Sequence, residues 1–467
     1  MLSERLCTGP MEKIRTSGGS FVDGEGRSLR LRGPGLGGWL NMENFITGYS
    51  GNEALMRAGV REVLGEDKYE LFFDRLLTSF FGDADAALLA SRGMNCVRVP
   101  INYRHFEDDD RPFEIKESGF RHLDRAIDAC ARHGIYTVID LHALPGAQNH
   151  HWHSDNPTHV PAFWTHRHFQ DRAVHLWEIL ADRYKDNGWV AGYNPVNEPA
   201  DESRRAVGPF YERVVGAIRA IDTRTTLFLD GNTYSTEFDI FPAEPSDNTV
   251  YVCHDYARAG LARTGDYPGM TGADFSDRET LEKKFLERTG YSRRTGTPIW
   301  VGEFGPVYTG DERIDAQRRE LLDDQLEIYR RHDASWSIWT YKDLGPQGLA
   351  HVKPSSPYLR RFGEFVAKKD RLAADSWGSD RIGPAEVTVP FQQMMAREFP
   401  AFDPYPWGLH DWTRTLINNL VIAQPLAHEY ASLFRGLDES ELIALADSFA
   451  LENCAQRTAL LDTLQND

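Results

Sequence analysis

The sequence predicts an α/β protein: a (β/α)8 barrel followed by a helical C-terminal extension. Three observations carry this. Eight short apolar runs lie along the chain, seven of them between about residues 80 and 370. Amphipathic stretches at helical spacing separate them. Glycines close several of those stretches just before the next run begins (Gly93, Gly134 and Gly188), as expected where a helix stops in a left-handed turn. Strands covered on both faces read as near-continuous apolar runs, and eight strand–helix units close into a barrel. A doubly wound open sheet is the alternative, but no G-x-G-x-x-G follows the first strand.

The first run, Ser28–Leu36, is entered from a small hairpin around Asp23 and Gly24 that closes the barrel floor. The others are Asn95–Pro100, Tyr136–Leu141, Val190–Asn197, Thr226–Asp230, Thr249–His254, Pro298–Glu303 and Ser335–Thr340. Leu123, Ile127 and Cys130 mark a helix before Gly134, and Val174, Trp177 and Leu180 one before Gly188. Phe210, Val214 and Ile218 mark a third. Beyond about Asp370 the alternation ends in a Pro-rich, aromatic link through Pro400, Pro404 and Pro406. Asp438 with Glu441 has the spacing of a capping box, and Leu442, Leu445 and Phe449 give the helix that follows an apolar face. The chain thus divides into an N-terminal segment (1–19), a barrel (20–380) and a helical extension (385–467). The extension's stripes need a partner, which is the barrel or, as a homo-oligomer, a second copy of the chain.

The 467 residues are 41% hydrophobic and 26% charged, an ordinary globular composition. The net charge of −18 repels phosphates, so no nucleic-acid partner is expected. No apolar run is long enough to span a bilayer, so no membrane insertion is expected. The N-terminus lacks a signal-peptide core. The cysteines (Cys7, Cys96, Cys130, Cys253 and Cys454) are odd in number and form no C-x-x-C. Free thiols and a cytoplasmic location are the expectation.

A barrel of this kind places its chemistry at the C-terminal ends of its strands. The polar residues there are Glu43 after strand one, Arg98 in strand two, His142 at the end of strand three, and Asn197 and Glu198 after strand four. His254 and Tyr256 follow at strand six, Glu303 at strand seven and Trp339 at strand eight. Strands four and seven face each other, so Glu198 and Glu303 form an opposed carboxylate pair. Such a pair cleaves glycosidic bonds when one member is a protonated acid and the other an anion. Arg98 suits the anion. Asn197 suits a sugar 2-hydroxyl, and Trp339 offers a flat face to a sugar ring.

These residues resemble glycoside hydrolase family five, over roughly residues 20–370. The motifs are V-R-V-P at 97–100, D-L-H at 140–142, N-E-P at 197–199, H-D-Y at 254–256, G-E-F-G at 302–305 and S-I-W-T at 337–340. The resemblance implies a retaining hydrolase with Glu198 as acid/base and Glu303 as nucleophile. It also implies a sugar shell of Arg98, His142, Asn197, His254, Tyr256 and Trp339. G-G-W-L-N-M-E-N-F-I at 37–46 and L-H-A-L-P-G-A-Q-N at 141–149 look like the exo-β-1,3-glucanase branch, in which Glu43 would hold hydroxyls of the terminal glucose. The implied substrate is a β-glucoside or short β-glucan cut from its non-reducing end. A β-mannoside or a glycosylated aglycone such as a glycolipid is the alternative. Outside catalysis, the alternative is a carbohydrate-binding barrel.

Three further stretches invite other readings. His150, His151 and His153 could suggest zinc, but no cysteine or helical spacing accompanies them, so a sugar-contacting or solvated loop is expected. Asp108–Asp110 reads as a solvated acidic loop. Gly33, Gly35, Gly37 and Gly38 lack the Lys-Ser/Thr of a phosphate cradle and read as backbone freedom. No metal or cofactor is expected.

Overall fold

The computed structural model describes residues 13–262, 264–374, 377 and 383–467. Cys7 and most of the segment 1–19 lie outside these. Eight parallel strands form the barrel: β1 (Arg32–Pro34), β2 (Cys96–Asn102), β3 (Tyr136–Ala143), β4 (Val190–Asn194), β5 (Thr226–Asp230), β6 (Thr249–His254), β7 (Ile299–Glu303) and β8 (Ser335–Ile338). They pair in sequence order from β2 to β8, and β8 pairs with β1. Between β1 and β2 a Gly35–Arg98 bridge closes the seam, with the Leu36 N–H donating to the Arg98 carbonyl at 2.8 Å.

Of the strand boundaries that differ from the apolar runs, two matter most. Ser28–Leu29 pairs with Ser20–Val22 in the hairpin, so only Arg32–Pro34 joins the barrel. β4 stops at Asn194, which leaves Asn197 and Glu198 on the turn beyond it. The hairpin turn is held by the Asp23 carboxylate, which accepts from the N–H groups of Glu25 and Arg27. Its Phe21 enters the barrel floor, stacks on Phe228 (5.9 Å) and joins an apolar cluster with Ile14, Leu31 and Trp300. The floor is therefore plugged by side chains. The glycines after β1 are explained mainly by close approach: a Cβ on Gly35 would come within 2.7 Å of the Trp339 ring. Of Gly33, Gly35, Gly37 and Gly38, only Gly38 has a left-handed φ (78°).

The main helices are α1 (Glu53–Leu64), α2 (Glu66–Phe80), α3 (Phe120–Arg132), α4 (Arg167–Tyr184), α5 (Val207–Ile221), α6 (Glu312–Arg331) and α7 (Pro357–Arg371). The C-terminal ones are α8 (Ala385–Glu398), α9 (Gly408–Thr415), α10 (Ala423–Ser432), α11 (Glu439–Asp447) and α12 (Thr458–Gln465). The Asp438–Glu441 capping box starts α11 with both of its bonds made. The apolar side of α11 and the residues after it meet α2: Phe449 stacks on Phe80 (5.7 Å), and Arg75 pairs with Asp447 (2.6 Å). Phe434, just after α10, packs edge-on against Phe72. Cys454–Gln456 pairs antiparallel with Ala350–Val352. The Lys342 ammonium, fully buried, donates to the carbonyls of Phe80 and Phe449 and to Asp85. The extension thus shares the barrel's own hydrophobic core. Among the described residues no helix is long and apolar enough to cross a membrane, and Cys96, Cys130, Cys253 and Cys454 are free and buried.

Candidate active site

The site grows from Arg98 in the middle of β2, which is fully buried. Its guanidinium donates to Glu303 Oε1 (2.6 Å) and to Asn197 Oδ1 (2.6 Å), and pairs with Asp140 Oδ2 (3.0 Å). Burial opposes its charge, but Asp140, Glu303 and Asp230 surround it and keep it cationic. The second oxygen of Glu303 accepts from the Tyr256 hydroxyl at 3.0 Å. Burial first, then Glu303 and Glu198, push the Tyr256 phenol well above its ordinary range, so it stays a donor.

Glu198 sits in a left-handed conformation (φ 45°), and its own N–H is held by Asp230 at 2.9 Å. Its Oε1 lies 2.6 Å from His254 Nδ1, which is also 3.6 Å from Glu303 Oε2. One oxygen of each glutamate and a His254 nitrogen all fall within 4.8 Å of one another. Burial raises the Glu198 carboxyl, while His254 and His153, when charged, pull it well below the usual carboxylate range.

His142 completes the floor of the site. Its Nδ1 lies 2.8 Å from Asp140, its Nε2 lies 3.6 Å from Glu43 Oε1, and its ring lies parallel to Trp339 (5.4 Å, 4°). Burial alone would lower the imidazole, but Asp140, Glu43 and Glu303 together raise it to about 10. Glu43 and Asn41 are buried, and Glu43 Oε1 and Asn41 Oδ1 have no hydrogen-bond partner among the described residues. All nine residues named from the strand ends therefore meet at one end of the barrel.

Comparison with known proteins bears on this arrangement. The family profile described as Cellulase (glycosyl hydrolase family 5) matches residues 76–345. The chain belongs to glycosyl hydrolase family 5. The protein is thus a glycoside hydrolase, as its motifs implied. It is 46% identical over 471 residues to the Beta-xylosidase of Phanerodontia chrysosporium, covering 98% of each chain. It is 30% identical over 357 residues to the Probable glucan 1,3-beta-glucosidase A of Aspergillus fumigatus, covering 68% of this chain and 84% of that one. Among solved structures, an endogalactoceramidase shares the fold with a TM-score of 0.52 at 18% identity, covering 71% of this chain and 75% of that one.

In this family 5 enzyme the histidine-rich loop after β3 is part of the site. His153 Nε2 stands 3.1 Å from Glu198 Oε2. The Asn149 amide orients it. Asn149 Oδ1 accepts from the His151 N–H, so Nδ2 faces the Glu198 carbonyl (3.1 Å) and His153 Nε2 (2.8 Å). His151 meets the Tyr234 ring (5.3 Å), and His150 meets His159 (5.2 Å). Burial lowers His150 to about 4 and His151 well below its ordinary value.

Strand-end reasoning missed Asp140, His153, Asn149 and Asp230. Asp230 was within reach of the same rule, since it closes β5 as Glu303 closes β7. Asp140 was quoted within D-L-H without a role. Nothing in the loop spacing marks His153 as the ring that turns inward.

Proposed function

We propose that the enzyme is a retaining β-glycosidase that removes one sugar from the non-reducing end, with Glu303 as nucleophile and Glu198 as acid/base. The observation that carries this is the approach of the two carboxylates, one oxygen of each within 4.8 Å of the other. Retaining enzymes hold the pair about 5–5.5 Å apart, whereas inverting ones leave about 6.5–9.5 Å for a water. Glu303 attacks the anomeric carbon while Glu198 gives its proton to the departing oxygen. The glycosyl ester forms as the glycosidic bond breaks. Water then attacks the ester, Glu198 takes the water's proton, and the product keeps its β configuration. Asn197, oriented by Arg98, reads the 2-hydroxyl as positive charge develops on the ring.

Exo action is supported by the unpartnered acceptors of Glu43 and Asn41, which suit the hydroxyls of a terminal sugar. It is also supported by Trp377, which stacks on Phe45 (5.1 Å) and meets Tyr256 edge-on (5.2 Å). That indole adjoins the phenol that bonds Glu303, and in this reading it blocks a chain continuing past the terminal sugar. Glucose and xylose carry the same configuration at C2, C3 and C4 and differ in the hydroxymethyl group. Both β-glucosides and β-xylosides are therefore substrates in this reading, the second favoured by the similarity to a Beta-xylosidase. A panel of aryl β-glucoside, β-xyloside and β-mannoside, read by released sugar and by proton NMR of the first anomer, tests it. The expected result is turnover of the first two with β product. An α product, preference for the mannoside, or mid-length fragments from a β-glucan oligomer would overturn it.

A further inference from the structure

The barrel motifs leave the aromatic residues of the extension without a role. Trp407 stands at the start of α9, 45% exposed. Its indole packs on Tyr234 at 4.5 Å and meets His151 at 5.3 Å. Tyr234 lies 6.2 Å from His153, which touches Glu198. A line of rings thus begins at the carboxyl that serves the leaving-group oxygen and runs outward to an exposed indole. Tyr256, by contrast, bonds Glu303, and Trp377 packs on Tyr256.

The line is held in place. The Tyr405 hydroxyl bonds Thr233 Oγ1 at 2.7 Å, tying the extension to the loop after β5. In that loop Thr233, Tyr234 and Ser235 have φ of 51°, 57° and 61°. Three consecutive non-glycine residues in the left-handed region are sterically strained, and strain of this kind gathers where a side chain's position matters. Here it aims Tyr234 between His153 and Trp407. Trp407 also lies beyond residues 76–345, which the family profile matches, so the extension supplies a wall that the barrel motifs do not encode.

We propose that Trp407, backed by Tyr234, is the platform on which the leaving group stacks, and that it selects leaving groups with a ring face, a sugar or an aryl group, over those without one. The proposal rests on the assignment of Glu198 as acid. The apolar face of a sugar ring and the face of an arene both meet an indole by dispersion and shed water in doing so. An acceptor that intercepts the glycosyl–enzyme would use the same platform.

The test compares wild type, Trp407→Ala and Trp407→Phe, as full chains, on three substrates of one sugar: a β-linked disaccharide, an aryl β-glycoside and the β-glycosyl fluoride. Fluoride departs without a ring. In the alanine variant the ratio of kcat/KM for the ring-bearing substrates to that for the fluoride should fall about tenfold or more, and phenylalanine should restore most of it. A fall on both ring substrates assigns a general ring platform. A fall on one alone assigns the ring type. An unchanged ratio, or an equal loss on the fluoride, overturns the proposal. Failure of wild type to release sugar from any of the three would instead sink the glycosidase reading. Acceptor partitioning in wild type gives a check that needs no variant. A phenyl-bearing alcohol should capture the glycosyl–enzyme better than an alkyl alcohol of equal pKa, and equal capture also overturns the proposal.

Discussion

His153 Nε2 faces the Glu198 oxygen that His254 leaves free, at 3.1 Å. Burial pushes the Glu198 carboxyl up, and His254 first and then His153 pull it down. Losing a group that favours the ionised carboxyl raises its pKa. His153→Phe should therefore raise the Glu198 pKa and move the basic limb of kcat/KM to higher pH. A limb that moves to lower pH would mean that His153 accepts from a protonated Glu198 instead.

The two glutamates should fail differently. Glu303→Ala should lose about four orders of magnitude or more in turnover, and azide should restore part of it with inverted product. Glu198→Ala should lose about 10²–10⁴-fold on poor leaving groups and far less on activated ones. An identical response of both variants to leaving-group pKa would remove the separate roles.

Glu43 Oε1 is buried, lies 3.6 Å from His142 Nε2 and makes no hydrogen bond; in the exo reading proposed above it would accept from a hydroxyl of the terminal sugar. Glu43→Ala should cost about 2–3 kcal/mol of transition-state binding, or roughly 30- to 150-fold in kcat/KM. The β-glucan oligomer products of wild type should be a monosaccharide and a chain one unit shorter. An unchanged kcat/KM in the variant would reduce Glu43 to a loop carboxylate.

His142 links stability to pH. Burial opposes its charge, yet Asp140 and its other neighbours raise it from 6.5 to about 10 in the folded chain. A raised imidazole stabilises the fold fully below its unfolded value and loses that contribution as pH climbs through the folded value. The thermal midpoint should fall between pH 6.5 and 10, and the fall should be shallower in His142→Gln. Equal slopes in calorimetry would show that another group sets the trend.

Phe449 is fully buried, and its carbonyl holds Lys342 (2.8 Å). Phe449→Ala should destabilise the whole enzyme by about 3–5 kcal/mol, with the barrel and the extension unfolding in one denaturant transition. Two separate transitions would mean that the extension folds apart from the barrel.

The strand ends were legible because apolar runs of two-faced strands stand out and because a barrel brings every C-terminal end to one place. Glu303 and His142 could be named from position alone for that reason. The Asp438 cap was equally readable, since its geometry is local. His153 and Tyr234 were hidden because their loops turn at non-glycine residues in left-handed conformations, among them Asp155 (φ 54°) and Tyr234 (φ 57°), which no residue type announces. The glycines after β1 misled in the opposite sense: composition suggested pliancy where Gly35 makes room for an indole. Docking of the extension depends on which barrel face meets Phe434 and Phe449, and helical periodicity shows only that some face must.

The plug of Phe21, Phe228 and Trp300 makes the barrel a well with one mouth. Nothing drains through the bottom, so in the exo, retaining reaction proposed above traffic would be ordered by depth: the outer fragment would leave first, the attacking water would come down the path it vacates, and the inner sugar would depart last. Free monosaccharide should therefore return to the bottom of an empty well and compete directly with substrate, while the outer fragment should compete with water for the loaded one. In a vessel where product accumulates, the enzyme should slow through its smallest product and resynthesise linkages through its larger one.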